Sequence, residues 1–117
     1  MRNLERLRTI CLALPEAQER ETWGEPTMRV RDKIFAFPRE DQVTFKADPD
    51  ERVSLLGDPR FFLPPYVGGK GWVGLRLQSV GEASKPDWDE VAELIATSYR
   101  LIAPKRLGAL LDQPRKA

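Results

Sequence analysis

The feature of this sequence that most constrains its fold is a regular alternation of apolar and polar side chains that begins after residue 26. Met28 and Val30 alternate with Arg29 and Arg31, and the same period returns from Val43 onward. A side-chain period of two indicates a β-strand with one buried face. With short turns at residues 23–26, 31–33 and 38–41, the runs predict an antiparallel meander of three strands over residues 27–31, 34–37 and 43–47.

Helical signals lie on both sides of this meander. Apolar residues recur at three- and four-residue steps between Leu4 and Leu14, which predicts a first helix that Pro15 ends. Asp48 and Asp87 each stand where an N-cap would begin a further helix, and Asp87 does so within a capping-box pattern. The remaining segments are predicted as a polar connection over residues 16–22 and a fourth strand over residues 72–77.

These elements predict an α+β fold formed by a single domain that spans residues 1–117. Their order along the chain is helix, three strands, helix, strand, helix. The helices are expected to cover one face of an antiparallel sheet of four to five strands. The other face is then free to bind a partner.

The composition argues against several classes of chemistry. The chain has no histidine and one cysteine, Cys11, so an internal disulfide is impossible and the usual ligands of zinc are missing. No catalytic constellation stands out, and we predict a protein that is not an enzyme and uses no metal or cofactor. Cys11 lies in the apolar stripe of the first helix and is predicted to be a buried small hydrophobe. No apolar run reaches the roughly 20 residues of a membrane span, so we expect a cytoplasmic protein without a membrane partner.

Basic side chains on the predicted strands form the first candidate site. Arg29, Arg31, Lys33 and Lys46, joined by Arg76, are predicted to form a positive sheet face or hairpin that contacts phosphates. A β-ribbon of this kind can enter the major groove of DNA. The alternative, which the net charge of +1 favours, is a solvated outer face whose cations protect the sheet from unwanted pairing.

A glycine-rich loop before the fourth strand forms the second candidate site. Backbone amides around Lys70 could cradle an anion, while Tyr66, Trp72 and Trp23 could stack on or enclose a ligand. The spacing is not that of a phosphate-binding P-loop, because a strand rather than a helix follows the lysine. The alternative is a tight entry into the strand, with Trp23 and Trp72 buried together.

Several short runs stand in a characteristic order along nearly the whole chain. They are Cys11-Leu12-Ala13-Leu14-Pro15, Trp23-Gly24-Glu25-Pro26-Thr27, residues 29–36, Thr44-Phe45-Lys46, residues 70–74 and residues 98–105. Their order and spacing resemble those of the MmcQ/YjbR family of small bacterial proteins. The chain departs from many relatives because no histidine stands beside its Trp-Gly motif, so no histidine-dependent role carries over.

The resemblance implies a compact α+β domain, similar to CyaY/frataxin-like or secretion-chaperone-like folds, and a function in DNA binding. Combined with the basic strands, it predicts a non-enzymatic binding module that contacts double-stranded DNA through the basic meander. Two alternatives stay open: a protein- or peptide-binding adaptor with chaperone-like architecture, and small-ligand binding at the loop from Tyr66 to Trp72. The oligomeric state is also open.

Overall fold

The computed structural model describes residues 2–65, 70–77 and 86–112. Within these ranges one antiparallel sheet is formed by six strands, β1 (Gln18–Thr22), β2 (Glu25–Val30), β3 (Lys33–Pro38), β4 (Gln42–Lys46), β5 (Phe61–Phe62) and β6 (Trp72–Arg76). The sheet is open, and its strands lie in the order β1-β2-β3-β4-β6-β5. The helices are α1 (Asn3–Leu12), α2 (Pro49–Leu56), α3 (Trp88–Ile102) and α4 (Lys105–Ala109), followed by a 3-10 turn over Leu110–Asp112.

The predicted α+β class and antiparallel sheet are confirmed, but the sheet is wider than expected. The predicted polar connection contains β1, which pairs with β2 and aligns Gln18 with Arg29 and Thr22 with Glu25. All five residues of β1 are polar and none is buried, so the strand has no apolar alternation to detect. Charged residues suit it because β1 lies at the edge of the sheet, where they discourage pairing with other chains. The opposite edge strand, β5, has only two residues and is too short to give a pattern.

The helices contribute to a core on one face of the sheet, as predicted. Strand residues aligned by the register, such as Ala36, Phe45 and Val73, lie together on that face. The core combines Met28, Val30, Phe35, Ala36, Val43, Phe45, Phe61, Val73 and Leu75 from the strands with Leu7, Cys11, Val91, Ile95, Tyr99 and Leu107 from the helices.

Tyr99 joins α3 to two distant parts of the chain. Its ring meets the ring of Phe35 edge-on, with the centroids 5.4 Å apart. Its hydroxyl donates a hydrogen bond of 2.6 Å to the carbonyl oxygen of Pro15, just after α1. A buried phenol normally needs such a partner, so this bond allows a polar group to sit at the edge of the core.

A β-bulge interrupts β3 next to the core. The register aligns Met28 with Ala36 and then Arg29 with Ile34, so β3 advances by two residues while β2 advances by one. Phe35 is the extra residue and has no partner of its own in β2. The bulge therefore turns the side chains of both Phe35 and Ala36 toward the core, where both are fully buried.

Ser98 occupies the buried face of α3 because it completes the hydrogen bonding beside this bulge. Its hydroxyl donates to the carbonyl oxygen of Phe35 at 2.7 Å and accepts from the backbone N–H of Lys46 at 2.9 Å. The regular β3–β4 pairing ends one step earlier, at Ala36 and Phe45. Ser98 thus bridges two backbone groups that would otherwise be buried without partners.

Helices α2 and α3 begin where the sequence predicts, whereas α1 begins at Asn3 without a hydrogen bond to an N-cap side chain. Asp48 caps α2 by accepting from the N–H of Asp50 at 2.9 Å. Asp87 caps α3 by accepting from the N–H groups of Asp89 and Glu90 at 3.1 and 3.2 Å. Capping therefore accounts for the carboxylates of Asp48 and Asp87. Among the described residues, no helix combines the length and apolar character needed to cross a bilayer.

The thiol of Cys11 is fully buried, which confirms its predicted place in the core. Burial disfavours the thiolate, and the negative charge of Glu19 adds to this effect, so the pKa of Cys11 rises to about 12. Because the thiolate is the reactive form, the buried thiol of Cys11 is expected to react slowly at pH 8.

We expect Cys11 to resist thiol reagents in the folded protein. At pH 8, Ellman's reagent should label it rapidly in denaturant and only over a much longer time in native buffer. The Cys11→Ser variant should give no signal under either condition and so corrects for background. Equally fast labelling with and without denaturant would show that α1 leaves the core readily.

Candidate functional site on the open face of the sheet

The sheet has a second face, directed away from the core, which we call the open face. Side chains alternate across a sheet, so residues between the core positions point to this side. The register places Arg29 beside Ile34, Thr44 between Phe37 and Gly74, and Lys46 beside Trp72. The open face is formed by Gln18, Arg20, Thr22, Glu25, Thr27, Arg29, Ile34, Phe37, Gln42, Thr44, Lys46, Phe62, Trp72, Gly74 and Arg76.

Three half-buried aromatic rings lie on the open face. Phe37 and Trp72 meet at an interplanar angle of 65°, with their ring centroids 5.4 Å apart. Phe62 covers Gly74 so closely that a Cβ atom at Gly74 would lie 2.2 to 2.5 Å from its ring atoms. The guanidinium of Arg76 lies 4.8 Å from the centroid of Phe62. The rings and this cation therefore lie in the same region of the open face, across β3, β4, β6 and β5, and we call them the aromatic patch.

Lys46 and Arg76 place positive charge beside these rings. Lys46 is aligned with Trp72 and makes no ion pair with any other described residue. Arg76 is exposed and donates to the carbonyl oxygen of Pro59 at 3.0 Å, which holds its guanidinium over Phe62. Neither cation is paired with a carboxylate among the described residues, so both are available to an anionic ligand on this face.

Arg29 is also on the open face, but its guanidinium is held by neighbouring groups. It donates to the hydroxyls of Thr27 at 3.3 Å and Thr22 at 3.0 Å. It also lies 3.7 Å from the carboxylate of Asp32, which pairs with Arg20 at 2.9 Å. The positive charge at this end of the sheet is therefore largely neutralised.

Arg31 and Lys33 do not join the other predicted cations. Arg31 and Asp32 form the β2–β3 turn with positive φ angles of 50° and 65°, so the alternation of β2 stops there. The guanidinium of Arg31 forms a bidentate pair with Glu16 at 2.7 and 3.1 Å, and this bond lowers the pKa of Glu16. Lys33 is aligned with Val30, a core residue, and therefore lies on the side of the sheet that the helices cover.

A polar cavity of about 260 Å³ adjoins the pair of Arg31 and Glu16. It is lined by Glu16, Ala17, Gln18, Arg31 and Asp32. Arg31 and Glu16 already bind each other there, so neither charge is left over to bind a ligand. Within the described residues, no three histidine, cysteine, aspartate or glutamate side chains come together as a metal site would require.

The second predicted site is only partly described. Tyr66 lies outside the described residues. Lys70 is exposed, Gly71 has a φ of 91°, and Trp72 begins β6. Of the three predicted ligand or stacking residues that the structure describes, Trp72 is therefore the one that belongs to the aromatic patch of the open face.

The predicted burial of Trp23 against Trp72 is wrong. Trp72 packs on Phe37, whereas Trp23 is 98% exposed. Trp23 and Gly24 form the two-residue turn between β1 and β2, with φ angles of 51° and 78°. Two successive positive φ angles are typical of a type I′ hairpin turn, which directs its side chains into solvent.

The aromatic patch was not predicted from the sequence, although one of its three rings, Trp72, was among the candidate residues. Phe37 and Phe62 were not among the candidate residues, because each stands beside another apolar residue that enters the core. The bulge at Phe35 shifts the alternation so that Phe37 points away from the helices. In β5, Phe61 is buried and Phe62 is half-buried, a division that follows only from pairing with β6.

A family model described as YjbR matches residues 12–101, which is most of the chain. The chain belongs to the YjbR family. A crystal structure of Deinococcus radiodurans protein DR2400, which is assigned to the DUF419 family, has a similar fold with a TM-score of 0.74. The alignment covers 100% of this chain and 93% of that protein at 19% sequence identity, so it supports the YjbR fold alone. Among curated proteins, none matches the sequence significantly.

Proposed function

We propose that this YjbR-family protein is a non-enzymatic module that binds single-stranded nucleic acid on its open face. The observation that supports the proposal is the interleaving of three aromatic rings with Lys46 and Arg76 on that face. Aromatic rings stack on unpaired bases, and cations beside them contact the phosphates. RNA-recognition sheets combine the same two kinds of contact.

The charge distribution favours a polyanion on the open face. Of its four cations, Lys46 and Arg76 pair with no described carboxylate, whereas Arg20 and Arg29 share the carboxylate of Asp32. Its one carboxylate, Glu25, is paired with Arg39 at 3.2 Å. Positive charge is therefore concentrated at the end of the open face that carries Lys46 and Arg76.

A single strand suits this surface better than a duplex. Duplex bases are stacked inside the helix, and a protein reaches their edges by inserting an element into a groove. The β2–β3 hairpin is poorly suited to that role, because Glu16 holds Arg31 at its tip and Lys33 lies on the helix side. Unpaired bases, by contrast, can lie flat against Phe37, Phe62 and Trp72.

The test compares two lysines that carry the same charge on opposite sides of the sheet. Binding of a fluorescent single-stranded oligonucleotide is followed by anisotropy at several salt concentrations. Lys46→Gln should weaken binding and reduce the slope of log K against log salt by about 0.7, the value for one phosphate contact on a single strand. Lys33→Gln removes the same charge away from the open face and should change neither quantity.

A duplex of the same sequence is measured in parallel. We expect it to bind more weakly than the single strand at every salt concentration. Tighter binding of the duplex, or equal losses in Lys46→Gln and Lys33→Gln, would contradict the proposed surface. No binding of either nucleic acid at low salt would contradict the function itself.

A further inference from the structure

Trp23 is a large aromatic side chain that the proposed function leaves unused. Its indole is 98% exposed, the highest value among the large apolar residues of the described chain. Its backbone has a φ of 51°, a conformation that non-glycine residues adopt infrequently. An aromatic ring presented to solvent on a tight turn contributes little to the core, and it is well placed to contact a ligand.

The turn that carries Trp23 continues the open face beyond the ends of β1 and β2. Its flanking residues, Thr22 and Glu25, are aligned with each other and belong to that face. The carboxylate of Glu25 is neutralised by Arg39 at 3.2 Å. Glu21 alternates to the other face of β1, so it does not place a negative charge between Trp23 and the open face.

Trp23 lies far from Trp72 and Phe62, which form the distant end of the aromatic patch. The strand order places four strand spacings between β1 and β6, which is about 19 Å across the sheet. Following the register from Trp72 to the β1–β2 turn adds about five residues along the strand direction, or about 17 Å. Trp23 and Trp72 are therefore roughly 25 Å apart, and Phe37 on β3 lies between them, so a ligand that contacts all three must be extended.

We propose that Trp23 is a second stacking point for the single-stranded nucleic acid that occupies the open face. This inference rests on the proposed function and adds a length requirement to it. A short oligonucleotide fills the patch around Trp72 and gains nothing from Trp23. A longer one crosses β4, β3 and β2 and places a base on the exposed indole. Arg29, which is half-buried on the open face of β2, lines the path between the two positions.

The experiment uses fluorescent oligothymidylates of increasing length, from about four to about twenty nucleotides, which covers the usual range of single-strand site sizes. Trp23→Ala should bind the shortest oligonucleotides as the native chain does. It should bind the long ones about 5- to 100-fold more weakly, the loss expected from removing one base stack. Trp23→Phe keeps an aromatic face and should recover most of the affinity.

Val53→Ala is the matched control, because Val53 is an apolar side chain of α2 that is 81% exposed. It should bind oligonucleotides of every length as the native chain does. Equal affinity of Trp23→Ala and the native chain for long oligothymidylates would overturn the inference while leaving the proposed function intact. The indole would then be assigned to a protein partner. The same loss at every length would also overturn it, since Trp23 would then act through the central patch.

The proposed function fails in a different and recognisable way. In that case the native chain binds no oligothymidylate of any length, and Lys46→Gln has no binding to reduce. The length dependence of Trp23→Ala is therefore interpreted only against measurable binding by the native chain.

Discussion

Replacing Ser98 with alanine is expected to lower the free energy of unfolding by about 2–5 kcal/mol. The change removes the hydroxyl that joins the carbonyl of Phe35 to the N–H of Lys46 and leaves both groups buried without a partner. Each unsatisfied backbone group costs about 1–3 kcal/mol. The better helix propensity of alanine offsets only about 0.5 kcal/mol of this loss. Urea unfolding followed by circular dichroism measures the difference directly.

Thr97 provides the matched control for Ser98. It is the preceding residue of α3 and is only half-buried, and its hydroxyl makes no hydrogen bond to another described residue. Thr97→Ala should therefore change the stability by no more than about 0.5 kcal/mol. If Ser98→Ala lowered the free energy of unfolding by less than about 1 kcal/mol, the carbonyl of Phe35 and the N–H of Lys46 would have to find other partners without the hydroxyl.

Replacing Gly74 with alanine is expected to destabilise the protein by about 1–3 kcal/mol, although alanine is normally favoured over glycine within a strand. The new Cβ atom would lie 2.2 Å from Cζ of Phe62, so the ring must leave its place on the open face. Displacing the ring also separates it from the guanidinium of Arg76. The stability is measured by urea unfolding in the native and Phe62→Ala backgrounds.

The double-mutant cycle isolates the contact between Gly74 and Phe62. In the Phe62→Ala background, Gly74→Ala should be neutral or slightly stabilising, because no ring obstructs the new methyl group. Gly57→Ala is the control, since Gly57 has an ordinary φ of −75° and a Cβ there would meet only backbone oxygens at 3.4 and 3.7 Å. Equal losses from Gly74→Ala in both backgrounds would show that the ring is not the obstacle.

The central strands could be predicted from the sequence because their side-chain period is local information. The alternation of Met28 and Val30 with Arg29 identifies β2 without knowledge of any partner. The capping carboxylates of Asp48 and Asp87 are equally local, and both helix starts are confirmed. The edge strand β1 has only polar residues, so its pairing with β2 is visible only in three dimensions.

The candidate site was less predictable because it depends on interruptions of the pattern. Extending the alternation past Val30 groups Arg31 and Lys33 with Arg29, but the left-handed turn ends the strand at Val30. The bulge at Phe35 likewise moves Phe37 to the open face, and no residue in its own neighbourhood signals this change. Trp23 was predicted to be buried because tryptophan usually is, whereas the turn holds it in solvent.

The hydroxyl bridge of Ser98 also constrains when the protein can finish folding during synthesis. Ser98 lies 63 positions after Phe35 and 52 positions after Lys46 in the chain. Tyr99, which binds the carbonyl oxygen of Pro15, lies 84 positions after it. Contacts of such long sequence separation form slowly and late. When only β1 to β4 of a nascent chain have emerged from the ribosome, the carbonyl groups of Pro15 and Phe35 and the N–H of Lys46 thus still lack these partners. The chain remains exposed to chaperones and proteases until α3 emerges and docks.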